Sequence, residues 1–276
     1  MTLARRHVLI TGASSGLGAG LARTYAAPGT LLSLVGRSED RLQKIADVCA
    51  AKGAQIRLGC FDVGEPEPLG QWIEAGDGIV PIDLAIANAG TSGGPYQEGG
   101  ADGIALAGRQ IRTNLLGVIH TIEPLLPRLV GRKGAQIAVV ASVAGYRGLP
   151  DSPAYSASKA GVRAYGDALR ARLRPLGLTV SVIVPGFFDS PMTDRFHGGK
   201  PLLYSLDRAV ETVRKGLDRR ASRIVFPRLL GIGLQAADLL PAPIGDAILR
   251  RFPFQIILNE ADGLDAPEIA GAQPAR

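Results

Sequence analysis

Tyr155 and Lys159 stand four residues apart in the segment Tyr155–Ser156–Ala157–Ser158–Lys159, a spacing that puts both side chains on one face of a helix. A phenol ionises near pH 10 and is a poor base at neutral pH. An ammonium beside it favours phenolate and lowers that value. Such a pair can give a proton to a carbonyl oxygen as hydride reaches the carbon, or take the proton of an alcohol in reverse. The same spacing also describes an ordinary solvent-exposed helical pair, so its meaning depends on its surroundings. Ser142 ends an apolar run upstream, at the kind of strand end where parallel sheets bind ligands. Its hydroxyl can hold the substrate oxygen and steady developing charge.

A second chemical signal lies near the N-terminus. Thr11, Gly12, Ala13, Ser14, Ser15, Gly16, Leu17 and Gly18 follow the first apolar run and open a helical segment. Glycines there permit a tight turn and let backbone N–H groups approach a pyrophosphate, and the helix N-terminus adds unpaired donors and a favourable dipole. The spacing is GxxxGxG rather than GxGxxG, and a purely structural strand–helix turn can look alike; its place at the head of a strand–helix unit favours a dinucleotide. An acidic residue ending the second strand would select NAD through the ribose 2′-hydroxyl. Arg37 stands there instead, a guanidinium suited to a 2′-phosphate and to stacking on adenine. The expected cofactor is therefore NADP(H), with Ser38 as the cap of the next helix.

The elements that must position these residues alternate along the chain. Apolar runs of strand length occur at 7–10, 31–35, 55–60, 82–87, 136–141, 179–184 and 223–226. Most are continuously apolar, as in strands buried on both faces. Helical segments lie between them at 16–27, 39–52, 66–75, 105–130, 152–173 and 206–220. This order implies an α/β fold, a doubly wound, mainly parallel, Rossmann-like sheet with helices on both faces. Residues 1–226 are read as the dinucleotide-binding catalytic region. Within it, residues 187–206 hold Pro191, Gly198, Gly199 and Pro201 without periodicity and read as a mobile substrate lid of loop or short helices. Residues 227–276 read as a C-terminal apolar extension and tail of the same domain.

The 276 residues are 46% apolar and 20% charged, which suits one packed domain and argues against disorder. Net charge is +6, but the basic residues are scattered in doublets and aromatics are few, so no nucleic-acid groove is expected. Cys49 and Cys60, with neither CxxC spacing nor nearby histidines, read as reduced, largely buried thiols; neither a metal site nor a disulfide is expected. There is no signal-peptide core after Arg5 and Arg6 and no apolar run of about 18 residues, so a cytoplasmic protein is expected.

Taken together, Thr11–Gly18, Asp62–Val63, Asn88–Ala89–Gly90, Asn114, Ser142, Tyr155-x-x-x-Lys159 and Pro185–Gly186 closely resemble the short-chain dehydrogenase/reductase family in its compact single-domain branch, over about residues 5–226. The resemblance implies that Asn114, Ser142, Tyr155 and Lys159 form a catalytic tetrad, with Tyr155 as general acid/base. It implies that Lys159 also bonds the nicotinamide ribose, and that Asn114 kinks its helix so that a freed carbonyl holds a proton-carrying water. Asp62 and Val63 are implied to contact adenine, and Asn88, Ala89 and Gly90 to support the sheet beside the adenine ribose. Pro185, Gly186 and Phe188 border the nicotinamide side. The family usually has Thr four residues after that glycine; Ser190 occupies the place, with Thr193 near it.

The resemblance implies an oxidoreductase interconverting a ketone or aldehyde and an alcohol, as a homo-dimer or homo-tetramer. An epimerase or dehydratase on the same scaffold, or a non-catalytic NADP(H)-sensing regulator, are the alternatives; the regulator usually lacks the tyrosine or lysine present here. Expected substrate walls are residues 92–94, 143–146, 148–149, 187–188 and 192–196, mostly apolar, with Arg147 and Arg195 as anion contacts or solvated charges. An apolar or acyl substrate is thereby favoured. Residues 229–240 and 244–252 are apolar runs ending in Arg250 and Arg251. They read as a cap over the substrate pocket or a subunit contact, or alternatively as a helical hairpin on a membrane surface (229–254).

Overall fold

A computed structural model describes residues 7–93, 103–249 and 254–256; Gly94, Arg250, Arg251 and the tail after 256 lie outside the described residues. Seven strands form one all-parallel sheet. They are β1 (His7–Thr11), β2 (Leu31–Gly36), β3 (Gln55–Cys60), β4 (Leu84–Ala87), β5 (Gln136–Val140), β6 (Thr179–Pro185) and, last in the sheet, Arg223–Phe226. The short strand β7 (Phe196–Gly198) stands apart, so Arg223–Phe226 is β8, and β9 (Phe254–Ile256) follows it. The spatial order is β3-β2-β1-β4-β5-β6-β8. The chain therefore winds outward in one direction from β1 and in the other from β4, leaving a crevice at their carboxyl ends where doubly wound sheets bind ligands.

Alternation along each strand feeds two cores. Leu9, Ala85, Ile137, Val139, Val180 and Val182 face one layer, while Val8, Ile10, Leu32, Leu34, Ile86 and Ile183 face the other. The second layer holds α1 (Gly16–Tyr25) and α2 (Glu39–Ala50), packed through Leu17, Leu21 and Leu42. The first holds α3 (Pro66–Ile79), which runs one turn beyond its predicted end at 75 because Ile73 and Asp77 are both buried.

The helical segment read at 105–130, with its implied kink at Asn114, is interrupted at two places. It divides into α4 (Ile104–Ile111), a π-helical turn over Arg112–Leu116, α5 (Gly117–Ile122), a 3₁₀ turn over Glu123–Leu125 and α6 (Leu126–Leu129). Pro124 and Pro127 account for the later break, since neither can donate its helical hydrogen bond. The π-turn centres on Asn114, and single π-turns of this kind mark functional sites.

Helix α7 (Pro153–Leu173) carries Tyr155 and Lys159 in its first two turns. Gly166 lets it press on the sheet: a Cβ there would lie 2.7 Å from Val139 and Val182 side chains. The predicted lid holds α8 (Pro191–Asp194) and β7, which pairs antiparallel with β9, so this segment is more regular than a mobile loop. Helix α9 (Leu206–Asp218) then packs Val210 and Val213 on the second core. The extension forms α10 (Arg228–Asp238) and α11 (Ala242–Leu249). Cys49 is buried as expected, but Cys60 is exposed, because it ends the edge strand β3, where nothing covers one side. Ser38 stands at the N-cap of α2 but makes no side-chain cap bond.

Candidate active site

The residues singled out above converge on the carboxyl ends of β1, β4, β5 and β6. Gly12 and Gly16 both sit at positive φ, +66° and +51°, where a Cβ is strained. The turn is packed too tightly for side chains: a Cβ on Gly18 would lie 2.3 Å from the Gly12 carbonyl oxygen, and one on Gly12 would lie 2.8 Å from Ala89. Asn88 holds the turn from β4, its Nδ2 donating to the Thr11 oxygen (3.0 Å) and the Gly12 oxygen (3.3 Å). The Thr11 hydroxyl accepts from the Asn88 and Ala89 backbone N–H groups. Ala13 N–H donates to Val35 O, and Gly36 leaves room for Ser14. Ser15 is exposed at the N-cap of α1 with no side-chain cap bond, and no acidic residue occupies the first turn.

Two residues of the expected cofactor set have their side chains in the core. Leu17 is buried in the core, and Val63 is buried against Gly117 of α5. Arg37 is 56% exposed, with its Nη1 3.8 Å from Asp62 Oδ2. Such an exposed pair contributes little to stability. Asp62 Oδ1 also accepts from Gly64 N–H, which shapes that turn.

At the end of β5, Ser142 caps the short turn Val143–Gly145, its Oγ accepting from Ala144 N–H. Its hydroxyl shares a hydrogen bond with that of Tyr155. Tyr155 borders a cavity, yet enough protein surrounds it that burial raises its ionisation above pH 10, only partly opposed by the Ser142 bond. The expected lowering by an adjacent ammonium is thus not the state of the cofactor-free protein. The Lys159 Nζ is 5.9 Å from the Tyr155 ring centre and donates instead to Val140 O at 2.9 Å. Lys159 is 4% exposed, and burial lowers its ionisation to about 8. Gly90 makes room behind it, since a Cβ there would meet Lys159 Nζ at 3.4 Å and Asn114 Oδ1 at 3.3 Å.

Asn114 is fully buried. Its Oδ1 accepts from Thr91 N–H (2.7 Å), and its Nδ2 donates to Thr91 O (2.9 Å) and Ser158 Oγ (3.0 Å). The Ser158 hydroxyl donates in turn to Tyr155 O. Ser158 and Thr91 were not singled out from sequence; their only signal was adjacency to Lys159 and to Gly90.

A cavity of about 430 Å³ opens in front of the Ser142 and Tyr155 hydroxyls. Its floor is Val143, Pro185 and Gly186, and its lid wall is Phe187, Phe188, Ser190, Met192 and Phe196. The Ser190 and Thr193 hydroxyls lie 3.0 Å apart, and Ser190 caps α8. The remaining wall comes from the extension, with Leu230, Leu234 and Leu249 among its residues. The predicted walls at Ser92, Gly93, Gly145, Tyr146, Gly148 and Asp194 are not part of this lining, and neither is Arg195. Tyr146 is held in the core instead. Arg147 is likewise turned away from the cavity, onto the extension. Of the readings of 229–254, α10 and α11 adopt the cap, while Leu229, Ile232, Leu239 and Ile244 also meet solvent. No helix among the described residues is long and apolar enough to cross a membrane, and none of their His, Cys, Asp and Glu side chains cluster as a metal site.

The family model for short chain dehydrogenases matches residues 6–200. An uncharacterized oxidoreductase of Myxococcus xanthus is 36% identical over 251 residues, covering 89% of this chain and 97% of that protein. Ketoacyl reductase HetN of a Nostoc species is 35% identical over 189 residues, 67% of this chain and 64% of its own length. Among solved structures, an alcohol dehydrogenase of Thermococcus sibiricus complexed with 5-hydroxy-NADP superposes with a TM-score of 0.70 at 27% identity, covering 80% of this chain and 95% of that one. The resemblance drawn from the motifs and the Rossmann-like fold are both borne out.

Proposed function

This chain belongs to the short-chain dehydrogenase/reductase family of oxidoreductases, and from that premise we propose that it is an NADP(H)-dependent reductase of ketones or aldehydes, with Tyr155 as the proton donor. The observation that carries this reading is the hydrogen-bonded pair of Tyr155 and Ser142 hydroxyls facing the apolar cavity, backed by buried Lys159. The turn fits an anionic dinucleotide: its glycines exclude side chains, the first turn of α1 bears no acid, and its N-cap side chain leaves the backbone donors free. Gly12, Ser14, Ser15, Gly16 and Gly18 would hold the phosphates, with Leu17 and Val63 contributing backbone. Arg37 would meet a 2′-phosphate, and Asp62, Asn88, Ala89 and Gly90 would flank the adenosine half. Pro185, Gly186, Phe188 and Ser190 would border the nicotinamide half. A nicotinamide dinucleotide held there would supply the hydride for the carbonyl carbon.

The protein's own part follows from its protonation states. Burial raises the ionisation of Tyr155 further above neutral pH, so its hydroxyl carries the proton that reduction requires. Ser142 would hold the carbonyl oxygen while Tyr155 gives it a proton. A lysine that ionises near 8 still carries its proton at pH 7 in most molecules, and it can turn from Val140 O to steady the phenolate left behind. Asn114, by fixing Thr91 and Ser158, would hold the first turn of α7 in register with β4.

An alcohol dehydrogenase and a ketoacyl reductase among the similar proteins support carbonyl–alcohol chemistry and NADP. A panel of ketones and aldehydes followed by NADPH absorbance, repeated with NADH and with Arg37→Asp, tests the assignment. The expected outcome is reduction with NADPH preferred, and a preference shifted toward NADH by about tenfold or more in the variant. Equal NADPH and NADH use by both proteins would remove Arg37 from the cofactor site.

A further inference from the structure

The C-terminal helices carry a feature that the carbonyl-reduction reading does not require. Arg147 lies just beyond the Val143–Gly145 turn that Ser142 caps, and is only 13% exposed. Among the described residues its guanidinium bonds the extension: Nη2 donates to Asp246 Oδ1 of α11 at 2.8 Å, and Nη1 donates to Ala237 O near the end of α10 at 3.3 Å. Asp238 Oδ1 stands 3.7 Å from Nη1. A cation at a helix carboxyl end also meets the negative end of the helix dipole. The neighbouring backbone is cut to fit. A Cβ on Gly245 would lie 2.6 Å from Arg147 Nη2, and one on Gly231 would lie 2.4 Å from the Val225 side chain. One on Gly186 would lie 2.9 Å from Leu230. The helix pair is thus seated at three places, on the Ser142 segment, on β8 and at the end of β6.

The wall so fixed is apolar. Among the described residues the cavity lining includes no charged side chain, and its polar side chains are four hydroxyls, those of Ser142, Tyr155, Ser190 and Thr193. Burying an unpaired charge among such residues is costly. A cavity of about 430 Å³ has room for about fourteen water-sized groups at about 30 Å³ each; a nicotinamide bordered by Pro185, Gly186, Phe188 and Ser190 would take part of it, leaving more than a small ketone fills.

We propose that Arg147 is the positioning residue for the C-terminal helix pair, and that the wall it fixes selects a carbonyl compound with an uncharged, apolar tail longer than that of a small ketone. The selection rests on the reductase reading for its chemistry, but the tail site exists without it. Arg147 acts through Leu230, Leu234 and Leu249, which it holds against the tail; it touches neither substrate nor cofactor.

Two readouts test this in the full-length protein. The first is a series of uncharged methyl ketones, from butanone to a tail of about a dozen carbons, with the longest repeated as its ω-carboxylate. In the wild type, kcat/KM should rise about tenfold or more along the series and fall back for the carboxylate. Arg147→Gln should raise the KM of the longest ketone about tenfold, leave butanone within about twofold, and be partly rescued by Arg147→Lys. An equal loss on butanone and on the longest ketone would make Arg147 merely structural, and a flat wild-type series would overturn the tail site. The second readout is independent of turnover: binding of the uncharged fluorophore N-phenyl-1-naphthylamine, measured with circular dichroism as a folding control. Wild type should bind it and release it to the long ketone but not to butanone, and folded Leu234→Trp should bind it at least tenfold more weakly. Dye binding with this displacement but no ketone turnover would sink the reductase reading alone. Dye binding unchanged in Leu234→Trp would sink the tail site alone.

Discussion

Lys159 offers a quantitative test of how the site stores its charge. It is 4% exposed and donates to Val140 O, and burial depresses its ionisation from 10.5 to about 8 in the folded protein. Below pH 8 both folded and unfolded chains carry this proton, so it contributes no slope to stability. Between pH 8 and 10.5 the unfolded chain holds a proton that the folded chain has released, and stability rises with pH by about 1.4 kcal/mol per unit. The gain totals about 3 kcal/mol by pH 10.5. Other alkaline groups titrate in the same window, so the measurement needs a reference without the amine. Lys159→Met keeps the length, lacks the charge, and loses the Val140 bond by an amount that pH does not alter. Urea unfolding of both cofactor-free proteins at several pH values from 7 to about 10 gives the two stabilities at constant m. The advantage of Lys159→Met over wild type should shrink by about 2–3 kcal/mol across that range. A gap that stays constant within about 0.5 kcal/mol would show that the amine is not held charged in a dry site.

Two further outcomes follow from the geometry. Gly18→Ala places a methyl 2.3 Å from the Gly12 oxygen and 2.6 Å from Asn88 Nδ2. It should cost about 1–3 kcal/mol and raise the KM for NADPH severalfold; thermal melting and steady-state kinetics read both. Asn114→Leu strands both backbone groups of Thr91 and should cost about 2–4 kcal/mol, with faster amide exchange at Thr91 as the local sign.

The central strands of this sheet were legible because strands buried on both faces read as unbroken apolar runs, and the partly exposed edge strands 55–60 and 223–226 nonetheless match the structure at both ends. The glycine turn was legible because its packing admits no side chain at Gly12 or Gly18. The irregular turn at Asn114 was not legible from periodicity, only from the family resemblance, since Asn114 is held by Thr91 and Ser158, neighbours distant along the chain. Strand β7 was missed for a similar reason, as Phe196–Gly198 pairs with Phe254–Ile256. The apolar run at 229–240 was visible, but not which way it faces. That direction is set by Arg147 and Asp246, 99 residues apart. Cys60 misled because burial at an edge strand depends on a neighbour that sequence does not name.

Proton delivery by Tyr155 remains the claim on which the rest depends, and Tyr155→Phe measures it most directly. Loss of one hydroxyl should lower kcat for reduction of an active ketone by about 10²–10⁴-fold, while NADPH affinity, titrated by fluorescence, stays within about twofold of wild type. A variant that binds NADPH normally and still turns over within about fivefold of wild type would contradict it.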